Sequence, residues 1–332
     1  MALGVAFERE IREQPDVWER LARSDASAQL AAALEGEIVL TGSGSSLFAA
    51  QLGALALRRR GISAHALAAT EARDDNNAYR ERVLVAVSQS GRSVDVLSAQ
   101  DALQPRRTIA LTNDVHSPLA QRADLVIDIG AGLEVAVPAS KSVTCTVSVL
   151  LMAASLLGGN RREPQTLLAT AQLVRTWLER GDDALVRAAV AIAARHDVAV
   201  LGTDYGAPIA RETALKFKEA TYLHAEAFEA GEFRHGSAAM LDLTSVVVGI
   251  VDRDGAAVVG KPLREAKKSG ALRYVIGPES IDGITRLGPI VDDAFNTLAW
   301  LATAQMLALH VARARGIDSD HPRGLTKSIA SE

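Results

Sequence analysis

The chain has 332 residues, 48% of them apolar and 23% charged, an ordinary globular composition with material for more than one core. A formal net charge of −4 gives no general attraction to nucleic acid or anionic lipid, and the single cysteine, Cys145, excludes an intrachain disulfide and suits a reducing cytoplasm. The opening MALGVAFEREIREQPDVWERL has no signal-peptide apolar core, and the longest apolar run, residues 147–158, is too short to cross a bilayer, so a cytoplasmic protein without membrane contact is expected.

Residues 6–33 read as helices broken near Pro15. A strand at 37–41 feeds a helix at 45–60, and short apolar strands follow at 64–68, 83–87, 108–111 and 125–129. A helix over 141–157 closes the set. Such alternation predicts a parallel sheet covered by helices on both faces. The polar stretch 158–164 marks a boundary, after which helices at 165–180 and 183–195 lead to a strand at 198–201. A helix begins near Tyr205, strands follow at 245–251, 273–276 and 289–291, and a helix spans 294–315. The polar tail 316–332, with Pro322 and Gly324, is expected to fold onto the body.

The second half repeats the first. EIVLTGSGSS and DVAVLGTDYG are both apolar strands running into a glycine turn and a helix, with Gly42 and Gly202 160 residues apart. A duplicated α/β fold is expected, with a ligand cleft between its halves. The predicted parts are N-terminal helices 1–33, a first domain 34–162, connecting helices 163–196, a second domain 197–315 and the tail 316–332.

The stretch VLVAVSQSGRSVDVL is the strongest chemical signal. A strand emptying into Ser88, Gln89, Ser90, Gly91, Arg92 and Ser93 at a helix start offers unpaired N–H groups and hydroxyls to an anion, and no acidic residue lies between Leu84 and Val94. Serine and glycine populate any such turn as caps. Three in one half, at 41–46, 88–93 and 138–142, favour a site for a phosphate-bearing small molecule. A dinucleotide fold fits poorly, because position 47 is leucine where G-x-G-x-x-G needs glycine.

In the second half Glu212, Lys216 and Glu219 share one helical face. A solvated salt-bridge face is the default for Glu212 and Lys216, whereas Glu219 and His235, a carboxylate and an imidazole near the expected cleft, suit proton shuttling. The exit from this helix, TYLHAEAFEAGEFRHG, gathers His224, Glu226, Glu229, Glu232 and His235, but no H-x-H or H-E-x-x-H spacing supports a metal. Lys327, in HPRGLTKS, is solvated charge by default; over a cleft, its amine could form a Schiff base with a sugar ketone.

Together TGSGSS, SQSGRS, EVAVPASKS, ETALKFKEATYLHAEAFEAGEFRHG and HPRGLTKS resemble the sugar isomerase (SIS) family, most nearly the isomerase half of glucosamine-6-phosphate synthase and free-standing isomerising glucosamine-6-phosphate deaminases. The resemblance implies two tandem SIS domains, each a flavodoxin-like parallel sheet flanked by helices. It implies that Ser88, Gln89, Ser90 and Ser93 hold a sugar phosphate, while Ser43, Gly44, Ser45, Ser46, Val137 and Ser140 line the sugar. Glu219 would move a proton between C1 and C2, with Lys216 as a supporting charge. His235 would come from a neighbouring subunit to assist ring opening, which implies a homodimer with shared sites. Lys327 would be the Schiff-base lysine, and no metal or organic cofactor is implied.

The expected activity is that of an amino-sugar-phosphate aldose–ketose isomerase, specifically a deaminase forming fructose 6-phosphate and ammonia from glucosamine 6-phosphate. The alternatives are a fructosamine-6-phosphate deglycase, a synthase-like isomerase lacking its glutaminase and, from another class, a non-enzymatic sugar-phosphate sensor. No DNA-binding helix pair or basic patch supports the sensor reading. No amidotransferase sequence precedes residue 1 and no N-terminal cysteine is present, so glutamine hydrolysis is not expected. Ser43 and Thr326 replace the synthase's cysteine and alanine, and Arg92 stands where the synthase has an acid.

Overall fold

The computed structural model describes residues 3–72 and 77–327. The first sheet contains β1 (Ile38–Gly42), β2 (Ala64–Ala68), β3 (Val83–Val87), β4 (Arg107–Thr112) and β5 (Leu125–Asp128), in the order β2-β1-β3-β4-β5 with every pairing parallel. IVLTG and VLVAV are buried at every position, as strands with helices on both faces must be. Helices Ser45–Arg58 and Val94–Leu103 follow β1 and β3. Helix Lys141–Leu157 is buried nearly all round, and the Trp18 indole donates to Thr144 Oγ1 on it at 3.1 Å.

The second sheet contains β6 (Asp197–Gly202), β7 (His224–Glu229), β8 (Ser245–Ile250), β9 (Leu272–Ile276) and β10 (Thr285–Leu287). Its order, β7-β6-β8-β9-β10, repeats that of the first sheet strand for strand, again all parallel. The duplication extends to the turns. A Cβ on Gly42 would stand 2.7 Å from the backbone carbon of Ser46, and one on Gly202 would stand 2.1 Å from the Gly206 carbonyl. Both positions need glycine because the following helix begins directly against the strand end. Two residues later each turn takes a left-handed residue, Gly44 at φ 55° and Asp204 at φ 52°.

Two compact units result. The first comprises Asp16–Glu134, Lys141–Leu168 and, from the tail, Thr326 and Lys327; the second comprises residues 3–15, Val135–Ser140 and Ala169–Leu325. Residues 328–332 of the expected tail lie outside the described residues. Among the described residues, no helix is long and apolar enough to cross a membrane.

Two expectations need correction. The last strand is Thr285–Leu287, not 289–291, because Gly288 turns the chain at φ 83° and Pro289 has no N–H for a ladder. The segment read as a polar helix exit contains the edge strand β7. In it Ala225 is buried while His224, Glu226 and Glu229 are exposed, and an outermost strand can carry such charge.

Candidate active site

The turns after β1 and β3 lie side by side, because those strands are hydrogen-bonded neighbours, with Ile38 opposite Val83 and Thr41 opposite Ala86. Both open at the carboxyl edge of the sheet, where connections depart in opposite directions and open α/β sheets place their ligands. The Ser43 carbonyl accepts from Ser46 N–H at 3.2 Å, which presents Ser45 and Ser46 on the first helical turn. The Ser43 hydroxyl is buried and makes no hydrogen bond within the described residues.

In the second turn the Ser88 hydroxyl accepts from Gly91 N–H at 3.1 Å. Gln89 is fixed through its carbonyl, which accepts from Asn113 N–H at 3.0 Å. Ser93 occupies the N-cap of helix Val94–Leu103 without capping it through its side chain. The first N–H groups of that helix therefore receive no bond from the Ser93 side chain. Arg92 turns to Asp114 at 2.8 Å.

The third turn, at 138–142, serves a different purpose. Ser142 donates from its N–H to Glu134 Oε1 at 3.1 Å and from its hydroxyl to Oε2 at 2.7 Å. Lys327 Nζ donates to the same Oε2 at 2.8 Å. The Glu134 side chain is fully buried, and this ammonium and this helix N-terminus help to stabilise its charge. Burial first, and then the Glu134 carboxylate, push the Cys145 thiol well above its ordinary range, so that thiol is no nucleophile. Val137 is half-buried and Ser140 fully buried, its carbonyl accepting from Gln305 Nε2 at 3.5 Å.

Glu134 was missed as a site residue. The available signal was a lone acid among the apolar residues of GLEVAVP, because a carboxylate in such a run goes inside only with partners.

In the second unit, helix Gly206–Thr221 brings Glu212, Lys216 and Glu219 together. Lys216 Nζ lies 3.4 Å from Glu212 Oε1 and is hydrogen-bonded to Glu219 Oε2. The side chains of Lys216 and Glu212 are 1% and 2% exposed, against 19% for Glu219, which overturns the solvated-face reading of the first two. Burial pulls the Lys216 ammonium down, but Glu212 and Glu219 outweigh it and hold it up at about 12. Lys216 is thus a fixed cation, and Glu219 is the member of the trio that reaches solvent.

His235 stands exposed just beyond β7, its backbone N–H donating to the Glu232 carbonyl at 2.9 Å. His224 pairs with Asp197 at 2.8 Å.

Fold and turns together define a duplicated α/β protein of the flavodoxin-like class with an anion-receptive carboxyl edge. A family model described as the SIS domain matches residues 33–156 and 191–298, well over half of the chain. The chain belongs to the SIS family, and its two sheets are tandem SIS domains.

Among its relatives is the glutamine–fructose-6-phosphate aminotransferase (isomerizing) of Pyrobaculum aerophilum, 31% identical over 343 residues, which covers 98% of this chain and 57% of the relative. The chain thus spans little more than half the length of that protein. The C-terminal domain of glucosamine-fructose-6-phosphate aminotransferase from Francisella tularensis superposes with a TM-score of 0.84 at 22% identity, covering 96% of this chain and 98% of that one. Glucosamine-6-phosphate deaminase of Thermotoga maritima gives 0.82 at 22% identity, covering 98% and 100%. At that identity, both likenesses concern the fold.

Proposed function

We propose that the chain is an amino-sugar-phosphate aldose–ketose isomerase of the deaminase type, converting glucosamine 6-phosphate and water to fructose 6-phosphate and ammonia. The phosphate sits on Ser88, Gln89, Ser90 and Ser93. Ser43, Gly44, Ser45, Ser46, Val137 and Ser140 line the sugar. His235, contributed by a second copy of the chain, assists ring opening. Glu219 takes the C2 proton of the open aldehyde and the proton is returned at C1, leaving an imine at C2. Lys327, its ammonium proton passed to Glu134, attacks the C2 imine and expels ammonia, and water then hydrolyses the lysine Schiff base to fructose 6-phosphate and the free amine.

The observation that carries this reading is the buried Lys216 holding the Glu219 carboxylate. Burying a lysine and a second carboxylate beneath a more accessible one is costly. A sensor that needs only a phosphate cradle has no use for that arrangement. Support also comes from relatives that are named as aminotransferase isomerases.

The test is ammonia release from glucosamine 6-phosphate, beside phosphorylated fructosamines, by the natural chain and by Glu219→Gln. The expected result is release from glucosamine 6-phosphate that falls by about 10²–10⁴-fold in the variant, the usual worth of a positioned base. Release from fructosamines alone assigns a deglycase, and binding without turnover assigns a sensor. A rate unchanged in Glu219→Gln removes the assigned base.

A further inference from the structure

The buried carboxylate of Glu10 has no role in the chemistry above. Glu10, on helix Val5–Arg12, is 0% exposed. Its Oε1 accepts from Val135 N–H at 2.5 Å, and Ala136 N–H lies 3.4 Å from Oε1 and 3.3 Å from Oε2. Charge-assisted bonds to two successive backbone amides fix both peptide planes. Arg9, with a half-exposed side chain, lies 3.9 Å away on the solvent side.

The same segment is pinned at its other end. Gln305 Nε2 donates to the Ser140 carbonyl, while Gln305 Oε1 accepts from Gln14 Nε2 at 2.8 Å; Gln14, Gln305 and Ser140 are all fully buried. The strap Val135–Ser140 is therefore held by a carboxylate and an amide relay, both reaching into one N-terminal segment. Between the pins lies Val137, and the residue immediately before the strap is Glu134.

Packing alone does not call for a charge at position 10. Helix Val5–Arg12 is already seated by Phe7 and Ile11, by the Arg313–Glu8 ion pair, and by Asp320, which accepts from Ala6 N–H and Phe7 N–H at 2.8 Å each. An apolar side chain of similar volume would fill the space at less cost than a buried carboxylate. What an apolar residue cannot do is orient the Val135 and Ala136 amides.

We propose that Glu10 is a positioning residue for the isomerase reaction: by fixing the strap Val135–Ser140 it sets the place of Val137 against the sugar and the orientation of the adjoining Glu134, hence of the Lys327 amine. This rests on the function proposed above. In Glu10→Gln one acceptor becomes an amide donor facing backbone donors, so the strap loses its register while the helix keeps its apolar seat.

The experiment compares the natural chain with Glu10→Gln in three readouts: kcat and KM for glucosamine 6-phosphate, melting temperature, and the rate at which an amine-acylating reagent modifies Lys327, followed by mass spectrometry with Lys261 as internal standard. Expected are a kcat lowered at least about tenfold with KM within about threefold, and Lys327 labelling changed severalfold at constant Lys261 labelling. A folded variant with natural kcat and natural Lys327 labelling overturns the proposal, as does a kcat loss that merely tracks the folded fraction. If Glu10→Gln does not fold, Glu10→Asp, which keeps the charge but withdraws it by one methylene, decides by the same readouts. Should the natural chain turn over no sugar phosphate, the function fails, and Lys327 labelling alone decides the role of Glu10.

Discussion

In the proposed reaction Lys216 would serve as a supporting charge without exchanging a proton. Held at about 12 by its two carboxylates, it remains an ammonium at any pH at which an isomerase works. Lys216→Met would leave Glu212 buried without its cation, and the expected cost is about 3–5 kcal/mol, read by chemical denaturation. The sign of its pH dependence follows from the raised value. The folded pKa lies above the ordinary lysine value, so the trio's contribution is complete below about pH 10.5 and is lost as pH climbs toward 12. A Lys216→Met variant with natural stability would show that the trio is solvated in solution.

The spacing of Glu212, Lys216 and Glu219 was legible in the sequence; their burial was not. Helical periodicity fixes which residues share a face but says nothing of what covers it. Glu134 and Glu10 were harder still, because their partners are a tail lysine far along the chain and two backbone amides, neither of which any local pattern encodes.

At the scale of elements, the strand-to-helix turns carry the design. Strands of the first half were readable nearly to the residue, since buried parallel strands are short continuous apolar runs between turn signals. Beyond Gly202 the reading weakened where an edge strand, β7, wore the charges of a loop and where Gly288 ended β10 early. The two strand-end glycines give a direct check on the duplication. Gly42→Ala and Gly202→Ala should each cost about 1–3 kcal/mol, since their Cβ atoms would meet backbone rather than a yielding side chain. That corresponds to roughly 2–4 °C of melting temperature per kcal/mol in domains of this size. Gly231→Ala is the control, because a Cβ there meets nothing within 4 Å and its φ is −65°. Equal melting temperatures for all three variants would mean that the turns yield more readily than their geometry indicates.

For the whole molecule, the duplication was foreseeable from repeated strand–glycine–helix phrases. What the sequence alone left out was the path of the strap, six residues that pack with the second unit although both flanks, Glu134 and Lys141, belong to the first.

The charged margin of β7 has a consequence of another kind. This parallel sheet is open, and the outermost strand of an open sheet offers unpaired amides and carbonyls to any extended chain that drifts past. Glu226 and Glu229 put like charges where an incoming copy would have to lie. Replacing both with threonine should leave turbidity unchanged in the cold yet raise thioflavin fluorescence and light scattering on mild heating; a doubly substituted chain as clear as the original would mean that other features keep the molecules apart.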